Sequence, residues 1–330
     1  MKKFNHAIRW GIIGCGAVTE VKSGPGFQKA RDSKLVAVMR RTGELAADYA
    51  LRHKVPKWYD KVDDLINDDE VDAVYIATPP VFHKEHTIKV AKAKKPVFVE
   101  KPMSLNHDDC QEMISVCREN RVPLFVAFYR RALKRFIKIK NIINKGLLGD
   151  IRFVSVIFCR PPLKEDYEPV KHHWWRIDPE ISGGGYFIDM ASHMIDLLYY
   201  FLGDIVHVSG QAANQSGLYE AEDMVSCHFL FKNGIHGTGC WSFAAGRDID
   251  RTEIIGSKGK ITYQTFGVGS IEFEVKGRTE KFFVDYPEHI QQPVIQTIVD
   301  ELLGLGKCPS TGQSAARTNW FIDQIIKSNS

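Results

Sequence analysis

The spacing of apolar and polar positions changes once along the chain. In the first third, short apolar runs at Ala7–Ile13, Leu35–Met39, Ala73–Ala77, Val97–Val99 and Leu124–Ala127 alternate with segments of helical period at Glu44–Leu51, His83–Ala93 and Asn106–Asn120. Runs this short and this uniformly apolar read as strands buried on both faces. Their alternation with helices predicts a doubly wound parallel α/β sheet. Further on the period shortens to two, at Arg152–Phe158, Val225–Phe231, Ile235–Phe243, Thr252–Ile255, Lys260–Thr265 and Ile271–Val275, with turns such as Lys232-Asn233-Gly234 between them. That alternation predicts an antiparallel sheet with one face covered, and the helical segments Gly184–Phe201, Ile290–Leu303 and Ser314–Lys327 are the expected cover. Between the two patterns, Arg131–Lys145 reads as an amphipathic connecting helix with Leu133, Phe136, Ile137 and Ile143 inward and its basic residues in water. Two domains are expected, 1–130 and 131–330.

Composition narrows the function. A chain of 330 residues is long enough for two cores, and 44% hydrophobic with 25% charged residues is ordinary for a globular protein. A net charge of +4 is too mild for a nucleic-acid surface, which leaves a small-molecule partner. Near the start, Arg9 and a glycine cluster interrupt the apolar run, which makes a poor signal peptide, and no stretch is apolar for long enough to span a membrane. Seven cysteines, scattered and without a CxxC pair, argue against a disulfide framework or a zinc knuckle and for a reducing cytoplasm. There are no repeats or low-complexity tracts.

Chemistry concentrates in a few places. Gly14-Cys15-Gly16 follows the first strand, where a glycine turn lets backbone approach a pyrophosphate, with Ala17 and Val18 opening the next helix; Thr19 stands where a third glycine is usual. Ser23-Gly24-Pro25-Gly26 should break that helix early. The second strand ends in Arg40-Arg41-Thr42, where an NAD enzyme usually carries an acid for the ribose hydroxyls. Two guanidiniums there suit a 2′-phosphate, against the alternative of solvated loop residues. After the later strands come Ala77-Thr78-Pro79 with His83, Glu100-Lys101-Pro102 with Pro102 a candidate cis bond, and Tyr129. Glu100 and Lys101 fit a ligand crevice or an edge salt bridge equally well.

The most informative stretch is Gly183-Gly184-Gly185 followed by Asp189, His193 and Asp196. On a helix, Asp189 and His193 are i and i+4 and share a face, with Asp196 placed to orient the imidazole or to be a surface acid. The glycines leave room for a substrate or nicotinamide. Hydride transfer to a carbonyl needs a proton donor and positive hydrogen-bond donors at the oxygen, and histidine and lysine supply both. An i,i+4 surface pair is the plain alternative. A metal held by Asp189, His193 and His172 or His173 lacks a defined third ligand at helical spacing, so no metal is expected. Trp174 and Trp175 read as packing residues, and Arg176 as a cofactor or substrate contact.

The dinucleotide turn, Ala77-Thr78-Pro79 with His83, Glu100-Lys101-Pro102, Trp175-Arg176, and the triple glycine before Asp189 and His193 together resemble the family of glucose–fructose oxidoreductases, inositol dehydrogenases and MocA-type relatives, over nearly the whole chain. Departures are Thr19, Lys94 where a glycine often ends the preceding helix, and Pro80 in place of a frequent asparagine. The resemblance implies a Rossmann dinucleotide-binding domain and an α+β substrate-binding and oligomerisation domain with a large open, mainly antiparallel sheet. It implies a nicotinamide oxidoreductase acting on a sugar or cyclitol, with Lys101, Asp189 and His193 at the reaction centre. Expected cofactor contacts are Gly14, Gly16, Ala17, Val18, Arg40, Arg41, Thr78, Pro79, His83, Glu100, Lys101, Tyr129 and Arg176. The motifs lie nearest the sugar-ketone reductases, and the arginine pair favours NADP(H), with NAD(H) possible, in the direction of ketone reduction. An NAD-dependent glycoside hydrolase and a non-catalytic nucleotide sensor share the fold, although a sensor has no need of all three reaction-centre residues. Residues Arg160–Glu180, Tyr219–Asp223 and Ala244–Asp250 are expected to shape the pocket, and the open sheet face to build a homodimer or homotetramer.

Overall fold

The computed structural model describes residues 4–168 and 175–327. It divides into two compact units, Met1–Leu133 with Pro287–Ala316, and Lys134–Tyr286 with Arg317–Ser330.

The first unit is built on six parallel strands, β1 (Ile8–Ile13), β2 (Ser33–Met39), β3 (Lys57–Tyr59), β4 (Ala73–Ile76), β5 (Val97–Val99) and β6 (Leu124–Val126), in the order β3-β2-β1-β4-β5-β6. The chain winds outward from β1 in one direction and from β4 in the other, so their carboxyl ends flank the point where the order reverses, the usual ligand position in open α/β sheets. Every residue of β4, β5 and β6 is buried, which is why they are continuous apolar runs. β3 escaped the hydrophobic pattern because it is a three-residue edge strand whose middle residue, Trp58, is exposed. The helix after β1 stops at Val21 and a second runs over Gly24–Lys29. A Cβ on Gly24 would run into the Thr19 carbonyl oxygen and the Tyr49 hydroxyl, which are themselves hydrogen-bonded at 2.8 Å.

A single boundary at residue 130 does not describe the molecule. The helix Gln292–Leu303, expected against the antiparallel sheet, belongs to the first unit. Its Val294, Ile295, Ile298, Val299 and Leu302 are completely buried, Ile295 reaches to 3.0 Å from where a Cβ on Gly26 would stand, and Arg31 N donates to Gln296 Oε1 at 2.8 Å. The apolar stripe was legible, but the surface that would cover it was not.

The second unit holds β7 (Ile151–Cys159), β8 (Ile205–Ala213), β9 (Met224–Phe231), β10 (His236–Ser242), β11 (Ile249–Gly256), β12 (Gly259–Tyr263), β13 (Ile271–Val275) and β14 (Arg278–Phe282), in the order β14-β13-β12-β11-β7-β10-β9-β8. All pairs are antiparallel except β7 with β10. The two edge strands, β8 and β14, are the ones the alternation did not reveal; four of the five β14 residues are exposed, so no apolar face marks it. The helix Ser192–Leu202 covers the sheet. Trp241 lies against Phe187 with ring centroids 5.3 Å apart and places its Nε1 3.3 Å from Met194 Sδ, and Phe201 meets Tyr263. Val154, Val156 and Phe158 of β7 face this core, and Ser155, Ile157 and Cys159 lie half-buried on the other face.

The connecting helix spans Lys134–Asn144, after a 3₁₀ turn over Tyr129–Ala132. Because it starts later than expected its inward face is turned: Arg135, Phe136, Ile139 and Ile142 are buried, whereas Ile137 is 37% exposed and Ile143 half-buried.

Candidate active site

In the first unit the Gly14–Gly16 turn is drawn against β2, with Met39 O accepting from Gly14 N and Cys15 N at 2.9 and 3.1 Å. Gly14 has φ +90°, and a Cβ there would come within 3.0 Å of the Ala77–Thr78 backbone. Gly16 is different. A Cβ there meets nothing nearer than the Gly14 carbonyl oxygen at 3.9 Å, so the space above it is open. Thr19, in the third-glycine position, is buried and donates its hydroxyl to Gly16 O at 2.7 Å, which tightens the turn. Burial pushes the Cys15 thiol up to about 11, which marks it as a packing residue. Thr78 Oγ1 is buried beside this turn without a partner among the described residues. A strained glycine, an open one and a spare hydroxyl fit the pyrophosphate of a dinucleotide. Ala17 and Val18 open the short helix beyond, Pro79 leads into the 3₁₀ turn Pro80–Phe82, and Arg40 and Arg41 are exposed after β2, with the Arg41 guanidinium 5.6 Å from the Phe82 ring centroid.

The Glu100-Lys101-Pro102 turn is held from beneath, and its Lys101–Pro102 bond is cis. Glu100 is 7% exposed; its Oε1 accepts from the Tyr75 hydroxyl at 2.5 Å and Gln291 Nε2 at 2.6 Å, and its Oε2 accepts from Lys101 N at 3.1 Å. Glu100, expected to touch cofactor, directs its carboxylate into the protein and fixes the backbone of Lys101, whose side chain is half-buried. Neither Tyr75 nor Gln291 was anticipated: one reads as an ordinary β4 core residue, and the other lies 191 residues from Glu100 in sequence. His83 is likewise turned inward. It is wholly buried, with Nδ1 3.0 Å from Pro102 O and Nε2 2.8 Å from Thr78 O, so it ties two loops of the site together, and burial lowers its pKa. Tyr129 is 7% exposed and carries the Arg130 guanidinium on its ring.

The second unit carries the remaining residues. Each of the three glycines has a cause inside the fold. Gly183 ends the helix Pro179–Ser182 with φ +87°, Gly184 has φ +157°, and a Cβ on Gly185 would lie 2.7 Å from that of Ala221. Gly185 thus permits a close approach of residues 221 and 222, while Gly183 and Gly184 answer to their own backbone conformations. The helix that follows begins with a π turn over Phe187–Ala191, a widened turn of the kind common at functional sites, and becomes α-helical at Ser192. Asp189 lies in the π turn with its Oδ2 3.6 Å from Arg176 Nε, and the Arg176 guanidinium rests 4.5 Å from the Trp175 ring centroid. Arg176, expected at the cofactor, is thereby joined to the catalytic candidate. Asp189 is a quarter exposed, whereas His193 and Asp196 are buried at 4% and 1%. Phe266 packs edge-on to the His193 ring at 5.9 Å.

Asp166 was also missed. It is fully buried, accepts from the Tyr186 hydroxyl at 2.6 Å and from Leu163 N at 2.7 Å, and Arg160 stacks over Tyr186 at 4.6 Å, so the loop after β7 is bound to the triple-glycine segment. Beside Gly184 and Gly185, Glu222 Oε1 is buried without a partner among the described residues, and burial raises the pKa of this carboxyl. His172, His173 and Trp174 lie outside the described residues. Among the described residues no group of three metal-ligating side chains occurs, and no helix is long and apolar enough to cross a membrane.

Comparison with known proteins agrees with this geometry. Residues 8–128 match the oxidoreductase family with an NAD-binding Rossmann fold, and residues 136–262 match the GFO/IDH/MocA C-terminal domain. An oxidoreductase of Formosa agariphila is 36% identical over 96% of this chain and 97% of its own length. The myo-inositol 2-dehydrogenase of Thermotoga maritima is 32% identical over 77% of this chain and 74% of its own. In fold, the chain is similar to a levoglucosan dehydrogenase solved with NADH and levoglucosan, with a TM-score of 0.87 at 20% identity, covering 97% of this chain and 96% of that one.

Glu222 yields a measurable consequence. A carboxyl whose folded-state pKa is raised by burial destabilises the native state once it ionises. The cost is absent below the unfolded value of about 4.3 and grows as pH rises through the folded value. Glu222→Gln keeps an acceptor and never ionises. It should unfold at higher urea than the wild type at about pH 8, with the difference vanishing near about pH 4. A Glu222→Gln urea midpoint at or below that of the wild type at the higher pH rejects this account.

Proposed function

The chain belongs to the GFO/IDH/MocA family of NAD-binding oxidoreductases, and from that premise we propose that it reduces a keto group of a sugar- or cyclitol-like substrate, with NADPH as the preferred hydride donor. The observation that carries this reading is the Asp189–Arg176 ion pair on a π turn one helical turn before a nearly buried histidine. Relatives named for a cyclitol and an anhydrosugar substrate support the substrate class.

The cofactor, when bound, supplies a hydride to the carbonyl carbon, and negative charge then develops on the carbonyl oxygen. Lys101 offers an ammonium to that oxygen, from a backbone that Glu100 holds rigid. His193 gives up the proton. Arg176 holds Asp189 in place on the π turn, where the carboxylate accepts from a substrate hydroxyl. Gly14, Gly16, Ala17, Val18 and Thr78 receive the pyrophosphate. Arg40 and Arg41 would receive the 2′-phosphate, since Arg40-Arg41-Thr42, directly after β2, offers no carboxylate to a ribose diol. The half-buried outward face of the second sheet, which includes Ile157, Cys159 and Cys240, is the surface on which copies of the chain associate.

These assignments separate binding from chemistry. His193→Asn and Lys101→Met should each lower kcat by roughly 10² or more while fluorescence titration still shows NADPH bound. Wild-type turnover in both variants, on a substrate found by screening keto-sugars and inosones with both cofactors, rejects the reaction centre. Free aglycone released without net cofactor consumption would instead identify a glycoside hydrolase.

For cofactor choice, kcat/KM should be higher with NADPH than with NADH, and Arg40→Asp should narrow or reverse the ratio. Equal or better use of NADH by the wild type overturns the phosphate assignment. Light scattering at micromolar concentration should give the mass of a homodimer or homotetramer, and a monomer excludes the sheet face as an interface.

A further inference from the structure

The loop between β12 and β13 is built to a degree that its sequence, rich in glycine, does not suggest. Asp250, on β11, accepts three consecutive backbone N–H groups from it: Oδ1 takes Thr265 N at 2.9 Å, and Oδ2 takes Phe266 N at 2.6 Å and Gly267 N at 3.1 Å. A carboxylate receiving three amide donors makes charge-assisted bonds that hold a backbone firmly. The Tyr286 hydroxyl lies 3.3 Å from both Thr265 O and Gly267 O, and Gln264 Oε1 accepts from Gly269 N at 3.1 Å. A Cβ on Gly267 would collide with the Gln264 side chain, so this glycine lets the loop close on its own first residue.

What the loop delivers is one aromatic ring. Phe266 stands at 78° to the His193 imidazole with centroids 5.9 Å apart, and is backed on another side by Phe158 at 5.4 Å. Phe158 in turn packs on Phe243 at 5.9 Å, which backs the half-buried Phe266 ring from the sheet side. His193 is 4% exposed. An imidazole on a helix can rotate about both side-chain torsions, and proton transfer tolerates only a narrow range of aim.

We infer that Phe266 is a positioning residue for His193, pressed against the imidazole by the loop that Asp250 clamps. This rests on the assignment of His193 as proton donor given above. Phe266 touches no reacting atom; it limits the rotamers of the group that does. Asp250 lies in the segment expected from sequence to shape the pocket, and its contribution is to aim a catalytic side chain rather than to contact a ligand.

A double-mutant cycle on turnover tests the inference, together with NADPH titration and urea unfolding of each variant. Phe266→Ala should lower kcat on the order of 10-fold with the KM for substrate and the affinity for NADPH unchanged. Added to His193→Asn it should cost nothing further, because there is then no imidazole to aim. Phe266→Tyr, which keeps the ring, should restore kcat, and Phe266→Leu, with similar bulk and no ring, should not. Asp250→Asn should follow Phe266→Ala in the same direction with a smaller loss. In protein labelled with ¹³C-histidine, Phe266→Ala should shift and broaden the ring signal that His193→Asn abolishes. Wild-type kcat in Phe266→Ala, an equal loss in both backgrounds, or an unchanged imidazole signal each overturns the inference. Wild-type turnover in His193→Asn is a separate result, which removes the proton-donor assignment itself.

Discussion

A carboxylate taken out of water must be surrounded by donors, and Glu100 is where the first unit meets that demand. Three groups satisfy it, the Tyr75 hydroxyl from β4, the Gln291 amide from the segment that returns to the first unit near the C-terminal end, and the backbone N–H of Lys101. A buried charge is tolerated only with such partners, and removing any one leaves a costly vacancy among them. The return of residues 287–316 to the first unit is thus linked to the lysine turn by a hydrogen bond, as well as by the apolar stripe of its helix. His83 continues the same theme one layer over, with its two ring nitrogens set 3.0 and 2.8 Å from the carbonyl oxygens of Pro102 and Thr78, one of which accepts the single N–H of the neutral ring. Among the polar residues at the carboxyl ends of the strands, Glu100 and His83 thus direct their polar atoms toward the fold itself.

The second unit solves a related problem with packing in place of charge. Its helix begins in a widened π turn and covers an eight-stranded sheet, and Gly185 lets residues 221 and 222 come close to its start. Carboxylates then lock the surroundings. Asp166 binds Tyr186, and Asp250 gathers the loop that carries Phe266. The Arg176–Asp189 pair, more exposed, contributes orientation more than stability, since a partly solvated ion pair is worth little as an anchor.

Elements whose burial is local were legible in the sequence. The parallel strands β1, β2, β4, β5 and β6, the two-residue alternation of the second sheet and the helix carrying Asp189 and His193 all follow from periodicity, because a strand or helix writes its buried face into its own residues. β3, β8 and β14 were not legible, since these edge strands expose residues that break any apolar run, whereas β6, also at an edge, is wholly buried. For the helix Lys134–Asn144 the expected inward Leu133 and Phe136 are buried, but Ile137 is exposed, Ile143 half-buried, and Arg135, Ile139 and Ile142 complete the buried face. Among the chemical residues, sequence drew attention to the glycine turn, the lysine triplet and the Asp-His pair by their positions, and only with the family resemblance did it give Lys101, Asp189 and His193 a shared role. It assigned Glu100, His83 and Arg176 to a cofactor by type, whereas their polar atoms serve backbone and neighbouring side chains.

Composition and pattern by themselves indicated a doubly wound parallel sheet followed by an antiparallel one, and drew attention to the glycine turn and the Asp189–His193 pair, while a shared role for Lys101, Asp189 and His193 came from the resemblance to a known family. The pattern readings need only short-range information, the period of burial and the spacing within a turn or helix. Tertiary structure alone decided which carboxylates are anchors, why three glycines stand together, where the helix Gln292–Leu303 packs and which ring meets the histidine. Those are contacts between segments far apart in sequence, and a residue's type states what it can bond to without stating which distant backbone or ring the fold will bring to it.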